Sequence, residues 1–358
     1  MGEGNPVLGT IGAALARAIG TVRDHAELIA MLGTSVMVIA AGIATVGAAI
    51  YFAVPADRWR SRTVRPRVLA RALLPKRVVR SASDRLDIAA MLFSVFLAGS
   101  TMGWALFSSG YFAEAAAAVL ARTLPATAPG ALPAWLCGAV TTVALYLAYE
   151  FAYWTDHYLS HRVPILWAFH KVHHTAESLS PLTNYRVHPV DTIVFYNIAA
   201  LFTGAAAAVL GYLFGRPAEA LAVSGSNALV FITSMSLSHL QHTHLWISLP
   251  GRLGKWVLSP AHHQIHHSTD VRHYDRNFGS TTALFDRLFG TLHLPAAKRE
   301  KLTFGVTGLD YDPHSITGAA LMPFVDAGRH VGRRSRRMMP GKRAEAAPLP
   351  VASGEAIA

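Results

Sequence analysis

Fourteen of the chain's 18 histidines fall between His157 and His273, and eight of them stand in three short motifs. His157 and His161 form HxxxH, His170, His173 and His174 form HxxHH, and His263, His266 and His267 repeat HxxHH much later in the chain. On a helix, positions i, i+3 and i+4 share a face, so each motif offers its imidazoles in one direction. Protonated rings packed this way repel one another, whereas neutral imidazole is a good ligand for iron, zinc or copper. Eight rings exceed the four ligands of a tetrahedral zinc site, which points to two metal ions. The single cysteine, Cys137, lies in an apolar run and can build neither a disulfide framework within the chain nor a thiolate cluster, so the donors are nitrogen or oxygen.

Further histidines surround these motifs. His188 stands in NYRVHP, His239, His242 and His244 in SHLQHTH, and His273 follows the second HxxHH; each is a candidate ligand or a hydrogen-bonding partner of one. His262 does not align with the inward face of its neighbours, and His25, His293, His314 and His330 lie outside the dense region. Nearby carboxylates are Glu150, Asp156, Glu177, Asp270, Asp275 and Asp286. They read as orienting groups, helix caps or surface charges before they read as ligands, and Asp286 in FDRLFGT reads as a residue that fixes the local fold.

The elements that must carry these residues are those of a membrane protein. Of the 358 residues, 52% are hydrophobic and 15% charged, against about 25% charged in soluble proteins. Apolar runs long enough to cross a hydrocarbon core extend over Leu28–Val54, Leu86–Phe107, Trp135–Trp154, Ile193–Phe214 and Ala220–Leu237, the last two joined by what reads as a tight helical hairpin. The fold class expected is all-α, a polytopic bundle of about five spans with a histidine-rich helical cap at the cytoplasmic face. The net charge of +11 collects in Arg58–Arg85 and Arg329–Arg343. Basic segments beside apolar runs obey the positive-inside rule, which places the first loop and, two and four spans later, all histidine motifs in the cytoplasm. Nucleic-acid binding is set aside on the same ground. Gly110–Arg122, rich in alanine, reads as a short interfacial or extracytoplasmic helix. Three regions result: 1–134 with the first spans and the basic loop, 135–294 with the histidines, and 295–358, a polar segment ending in a disordered basic tail.

The motif order, HxxxH, HxxHH and HxxHH, together with the flanks LWAFHKVHHT, SPAHHQIHHSTD, DRNFG and FDRLFGT, resembles the fatty acid hydroxylase/sterol desaturase superfamily over about Glu150–His293. The resemblance implies a bacterial inner-membrane oxidoreductase in which His157, His161, His170, His173, His174, His263, His266 and His267 hold two irons, with zinc as a substitute after overexpression. It further implies O2 as co-substrate, a lipid substrate from the bilayer, and hydroxylation or desaturation as the reaction. No cytochrome b5 domain is recognisable, so electrons are expected from a separate donor, a ferredoxin or a cytochrome b5 with its reductase, for which Arg329, Arg333, Arg334, Arg336 and Arg337 are a candidate dock beside their simpler role against anionic lipid. Phe278 in DRNFG, His244 and Thr175 depart from the residues common at those places in the family, none of them at the eight motif positions. The alternative reading is a non-catalytic metal-binding or metal-transport protein, which would place its ligands near the bilayer midplane. A zinc hydrolase lacks its HExxH, and a haem carrier needs paired axial ligands instead of three clusters.

Overall fold

The computed structural model describes residues 81–94, 106–126, 130, 132–223, 226–249 and 251–338. The expected first span, most of the basic loop before Arg85, His25 and the tail beyond Met338 lie outside the described residues. Two described helices are long and apolar enough to cross a membrane: α3 (Ala134–Arg162) and α5 (Pro189–Phe214). They follow α1 (Ala82–Leu92) and α2 (Ser109–Thr123).

At 1.5 Å per residue, the 29 residues of α3 extend about 44 Å, well beyond a hydrocarbon core of about 30 Å. That length leaves room for its last turns, which carry His157 and His161, to stand outside such a layer. Pro164 then ends the helix, because proline disfavours helical backbone before it and cannot donate within it. The same proline opens α4 (Pro164–His174), with Val163 serving as the cap of both helices. The chain reverses here, which turns HxxHH back onto HxxxH. His188 caps α5 through its ring, which accepts from the Val190 amide, and Gly215 closes α5 in the left-handed region at φ 61°.

One expectation about the spans changes. The run from Ala220 starts as a two-stranded ribbon, β1 (Ala222–Val223) paired antiparallel with β2 (Ser226–Asn227), and becomes helical only in α6 (Ala228–Thr233) and the π turn Ser234–Ser238. The helical part covers about half of the hydrocarbon thickness. Asn227 explains the late start: its side chain caps α6 and donates to the Thr142 carbonyl, while the Leu221 amide donates to the Thr142 hydroxyl, tying the ribbon to α3. The alanine-rich stretch forms α2, a helix as expected, which runs alongside α5. Gly204 permits that approach, since a Cβ there would stand 2.3 Å from the Ser109 carbonyl. The segment from Leu86 continues as α1 to Leu92, and residues 95–105 are outside the described set.

After the short α7 (His239–Gln241), α8 (Pro260–His266) carries the second HxxHH and α9 (Leu284–Leu288) the Asp286 motif. After the short α10 (Ile316–Ala320), the C-terminal helix α11 (Met322–Met338) packs back on α4, where buried Lys171 pairs with Asp326. Among the described residues, the regular structure is thus helical apart from one small ribbon and two isolated bridges.

Candidate metal centre

The imidazoles gather into two groups. His157, His161, His170, His174 and His266 form one, and His173, His242, His263 and His267 form the other; within each, the potential ligand atoms all lie within 4.8 Å of one another. The HxxHH motifs of α4 and α8 divide their histidines between the groups, whereas α3 sends both of its histidines to one. The i, i+4 pairs His157/His161, His170/His174 and His263/His267 each serve one group, while His173 and His266, at i+3, reach into the other. The two groups meet where the His174 and His267 rings lie 4.4 Å apart and 27° from parallel.

Ring nitrogens point at one another at short range. His161 and His266 each approach His174 through Nε2, at 3.1 and 3.2 Å. In the second group His242 Nε2 lies 2.9 Å from His173, 2.8 Å from His263 and 3.2 Å from His267, all at Nε2. Donors about 2.1 Å from a shared ion stand about 3.0–3.4 Å apart in octahedral or tetrahedral arrangement. The spacing therefore fits two coordination shells.

The other face of each ring explains why Nε2 carries the lone pair. Carbonyl oxygens of Phe278, Arg186 and Arg276 accept from Nδ1 of His157, His173 and His266 at 2.8, 3.2 and 2.8 Å. Asp191 does the same for His170 at 3.0 Å. A carbonyl can only accept, so these rings hold their proton on Nδ1 and turn a bare Nε2 inward. Nε2 of His157 and of His170 is buried without any partner, as expected of an atom reserved for a ligand. Burial first, and then neighbouring rings, push the pKa values of His173, His174, His263 and His267 well below the ordinary value; His242 and His266 fall to about 3. Between pH 6.5 and about 3 the unfolded chain takes up protons that these buried rings refuse, so the metal-free fold loses stability as pH falls through that window.

The supports form connected chains of contacts. Asp286 accepts from the Phe278 and Gly279 amides at 2.8 Å each, from the Thr291 hydroxyl at 2.6 Å and from the Trp154 indole at 3.3 Å, fixing the turn whose carbonyl orients His157. Glu150 holds the next residues through the Thr281 and Thr282 amides and the Thr281 hydroxyl. Asn277, at φ 59°, bends the chain between these anchors. Asp87 of α1 pairs with Arg186 at 2.6 Å and so braces the backbone that positions His173. Asp87, Arg186, Asp191 and the carbonyl partners escaped the sequence reading: HPVD hinted at Asp191, but a backbone carbonyl leaves no mark in residue types.

Among the additional histidines whose side chains are described, only His242 joins a group. His188 Nε2 donates to the Ala320 carbonyl at 3.1 Å while Nδ1 caps α5, which uses both nitrogens in holding α10 to the start of a span. His188→Ala is accordingly expected to keep the full metal content and lower stability by about 1 kcal/mol, the usual worth of a cap; metal analysis beside a thermal melt checks both. His273 stacks edge-on with His293 and lies 3.9 Å from Glu300, and His244 is half-buried apart from both groups. The side chain of His239 lies outside the described set. His262 accepts the Ser259 amide and hydroxyl at the start of α8. The remaining carboxylates sit apart from the rings: Asp270 caps a turn and pairs with Arg272, Asp275 pairs with Arg162, and Glu177 with His314.

Two cavities flank the centre. One, about 480 Å³, touches His157, His170, His173 and His242 and lies between α3, α5 and the π turn. The other, about 580 Å³, touches His161, His174, His266 and His267 and is bounded by Trp167 and residues 305–307. The arrangement can present a reacting molecule to both groups from one side while leaving the opposite side accessible.

Residues 142–291 match the sequence model of the family described as fatty acid hydroxylase. Alkylglycerol monooxygenase of Homo sapiens is 28% identical over 170 residues, 47% of this chain and 33% of that protein. The Xenopus tropicalis protein of the same name is 28% identical over 165 residues, 45% of this chain and 32% of that one. Ornithine lipid hydroxylase OlsE of Rhizobium tropici is 29% identical over 160 residues, 44% and 43% of the two chains. The match thus spans less than half the length of each of these relatives. No solved structure matches.

Proposed function

We propose, from the match of residues 142–291 to the fatty acid hydroxylase family, that this chain is a membrane-bound lipid hydroxylase that uses O2 at two histidine-held irons. The observation that carries the reading is the division of nine inward Nε2 atoms into groups of five and four that share a wall. Neutral imidazoles of this kind suit iron, and also zinc as its substitute after overexpression. When bound, a pair of irons supplies the oxygen activation needed to break an unactivated C–H bond.

The chain's own residues do the rest. The eight motif histidines and His242 hold the ions, and Asp191 with the carbonyls of Phe278, Arg186 and Arg276 keeps the rings in register. The cavity between α3 and α5 receives the lipid from the bilayer, at the point where α3 leaves the apolar layer. The second cavity opens the other side of the centre toward the aqueous phase, where a separate ferredoxin or cytochrome b5-type donor would act. Hydroxylation is preferred over desaturation because the named relatives are a monooxygenase and a hydroxylase.

Lipid mass spectrometry under labelled dioxygen tests the reading. Cells or membranes holding the protein, supplied with reductant, should yield a lipid heavier by one labelled oxygen, and chelation should stop it. A lipid pool unchanged by the protein would overturn the assignment. The histidine face is assigned to the cytoplasm on the basic loop, so a reporter after His267 should read as cytoplasmic; an external reading would reverse the orientation.

A further inference from the structure

Resting on the hydroxylase reading, we propose that Asp156 anchors a headgroup subsite beside the metal centre, one that accepts lipids carrying a hydroxyl or ammonium donor and rejects anionic lipids. On α3, Tyr149, Tyr153 and Asp156 follow one another at i, i+4 and i+7, a single stripe along one wall of the 480 Å³ cavity. From α5, Asp191, Thr192 and Phe195 form the facing wall.

Asp156 is 7% exposed, and its Oδ1 is buried with no hydrogen-bond partner. Asp191 differs, because it is occupied by His170. A buried carboxyl oxygen without a donor costs free energy that the fold leaves uncompensated. No lysine or arginine lines the cavity among the described residues, so a donor group on a bound lipid is suited to fill the open position at Asp156.

The surrounding groups narrow its chemistry. Tyr149 and Tyr153 stand edge-on to Phe195 at 5.9 and 5.6 Å, which fixes their rings along the path to Asp156. Aromatic walls favour a cation, and tyrosine hydroxyls also suit a polyol. Ser234 and Ser238 add hydroxyls from the π turn, a helix irregularity often found at functional sites. A carboxylate or phosphate headgroup would face Asp156 and Asp191 with no basic partner, so the same lining discriminates against it. Asp156 precedes His157 in the chain, which places the anchored group at the metal end of the cavity and the lipid tail toward its aromatic end.

The test is equilibrium binding to zinc-loaded protein in detergent, read by native mass spectrometry with four dodecyl lipids: dodecylamine, 1-O-dodecylglycerol, dodecanoic acid and dodecyl phosphate. The amine and the glycerol ether should occupy the protein at least about tenfold more than either anion, as one buried charge-assisted bond implies, and their mutual ratio distinguishes ammonium from hydroxyl recognition. Asp156→Asn should cut the amine's advantage about tenfold, with zinc content and melting temperature reporting that the variant folds. Anions binding as well as the donors, or a preference untouched by Asp156→Asn as expected if Asp156 only balances the charge of the ions, would overturn the subsite. The wild-type panel decides the matter even if the variant misfolds. Oxidation is scored separately: turnover without this selectivity defeats the subsite alone, and selective binding without turnover defeats the hydroxylase reading alone.

Discussion

Replacing His242 by alanine is expected to leave one metal ion per chain, against the two proposed for the intact protein, and to reduce lipid oxidation more than about a hundredfold. His242 Nε2 is the hub of the four-histidine group, within 2.8–3.2 Å of the other three. Removing it leaves three imidazoles, two from α8 and one from α4. Even groups that only orient metal ligands cost about 10–100-fold in affinity or activity when lost, so removal of a ligand should exceed that range. The five-histidine group touches none of the deleted atoms at its own centre and should keep its ion. Metal analysis of purified protein measures the count directly. Two ions and near-normal turnover in His242→Ala would remove this residue from the centre, and a count of zero or one in active wild-type protein would remove the two-ion reading altogether.

The complementary result is expected from Asp286→Ala, which lies outside both groups. The substitution strips the partner from two buried amides, the Thr291 hydroxyl and the Trp154 indole. An unsatisfied buried donor costs about 1–3 kcal/mol, and such losses add incompletely within one network, so destabilisation of about 3–5 kcal/mol is expected. The Phe278 carbonyl would lose its fixed position, and with it the orientation of His157. Metal affinity should therefore fall about 10–100-fold in the five-histidine group and less in the other group, which meets this turn through neighbours of its ligands, Gln241 at Ser280 and His262 at Asn277. Denaturant unfolding and metal titration read the two effects. A variant with wild-type stability and equal affinity at both sites would show that the turn does not support the centre. Glu150→Gln offers a milder comparison, since the amide retains one of the acceptors that hold Thr281 and Thr282.

The two variants also separate positioning from ligation. His242 was one of several histidines in SHLQHTH with equal claim from the sequence, because spacing alone does not say which ring turns inward after a short helix. The structure selects it through the π turn Ser234–Ser238, which shifts the register of the chain just before α7. His188, in contrast, follows the first HxxHH closely and still serves as a helix cap.

The sequence by itself determined the chemistry: three histidine motifs at i, i+3 and i+4, a lone cysteine and long apolar runs leave nitrogen-ligated metal at the end of membrane helices as the consistent reading. Periodicity is a local property, and α3, α4 and α5 follow from apolar runs, Pro164, Pro189 and the Gly215 stop. Tertiary structure alone decided how the nine rings divide. Helical spacing puts His170, His173 and His174 on one face, yet His173 serves a different group from its neighbours because α7 and α8 approach α4 from the side that His173 covers. The supports were equally hidden, since the carbonyls of Phe278, Arg186 and Arg276 are common to every residue type and gain meaning only from where Asp286 and Asp87 pin the backbone. The segment after Ala220 was misread for a related reason: Ser224, Gly225, Ser226 and Asn227 interrupt its apolar residues, and the hydrogen bonds that Leu221 and Asn227 donate to Thr142 hold its first residues as a ribbon. Such contacts join residues far apart in the chain, and a pattern read along the chain does not contain them.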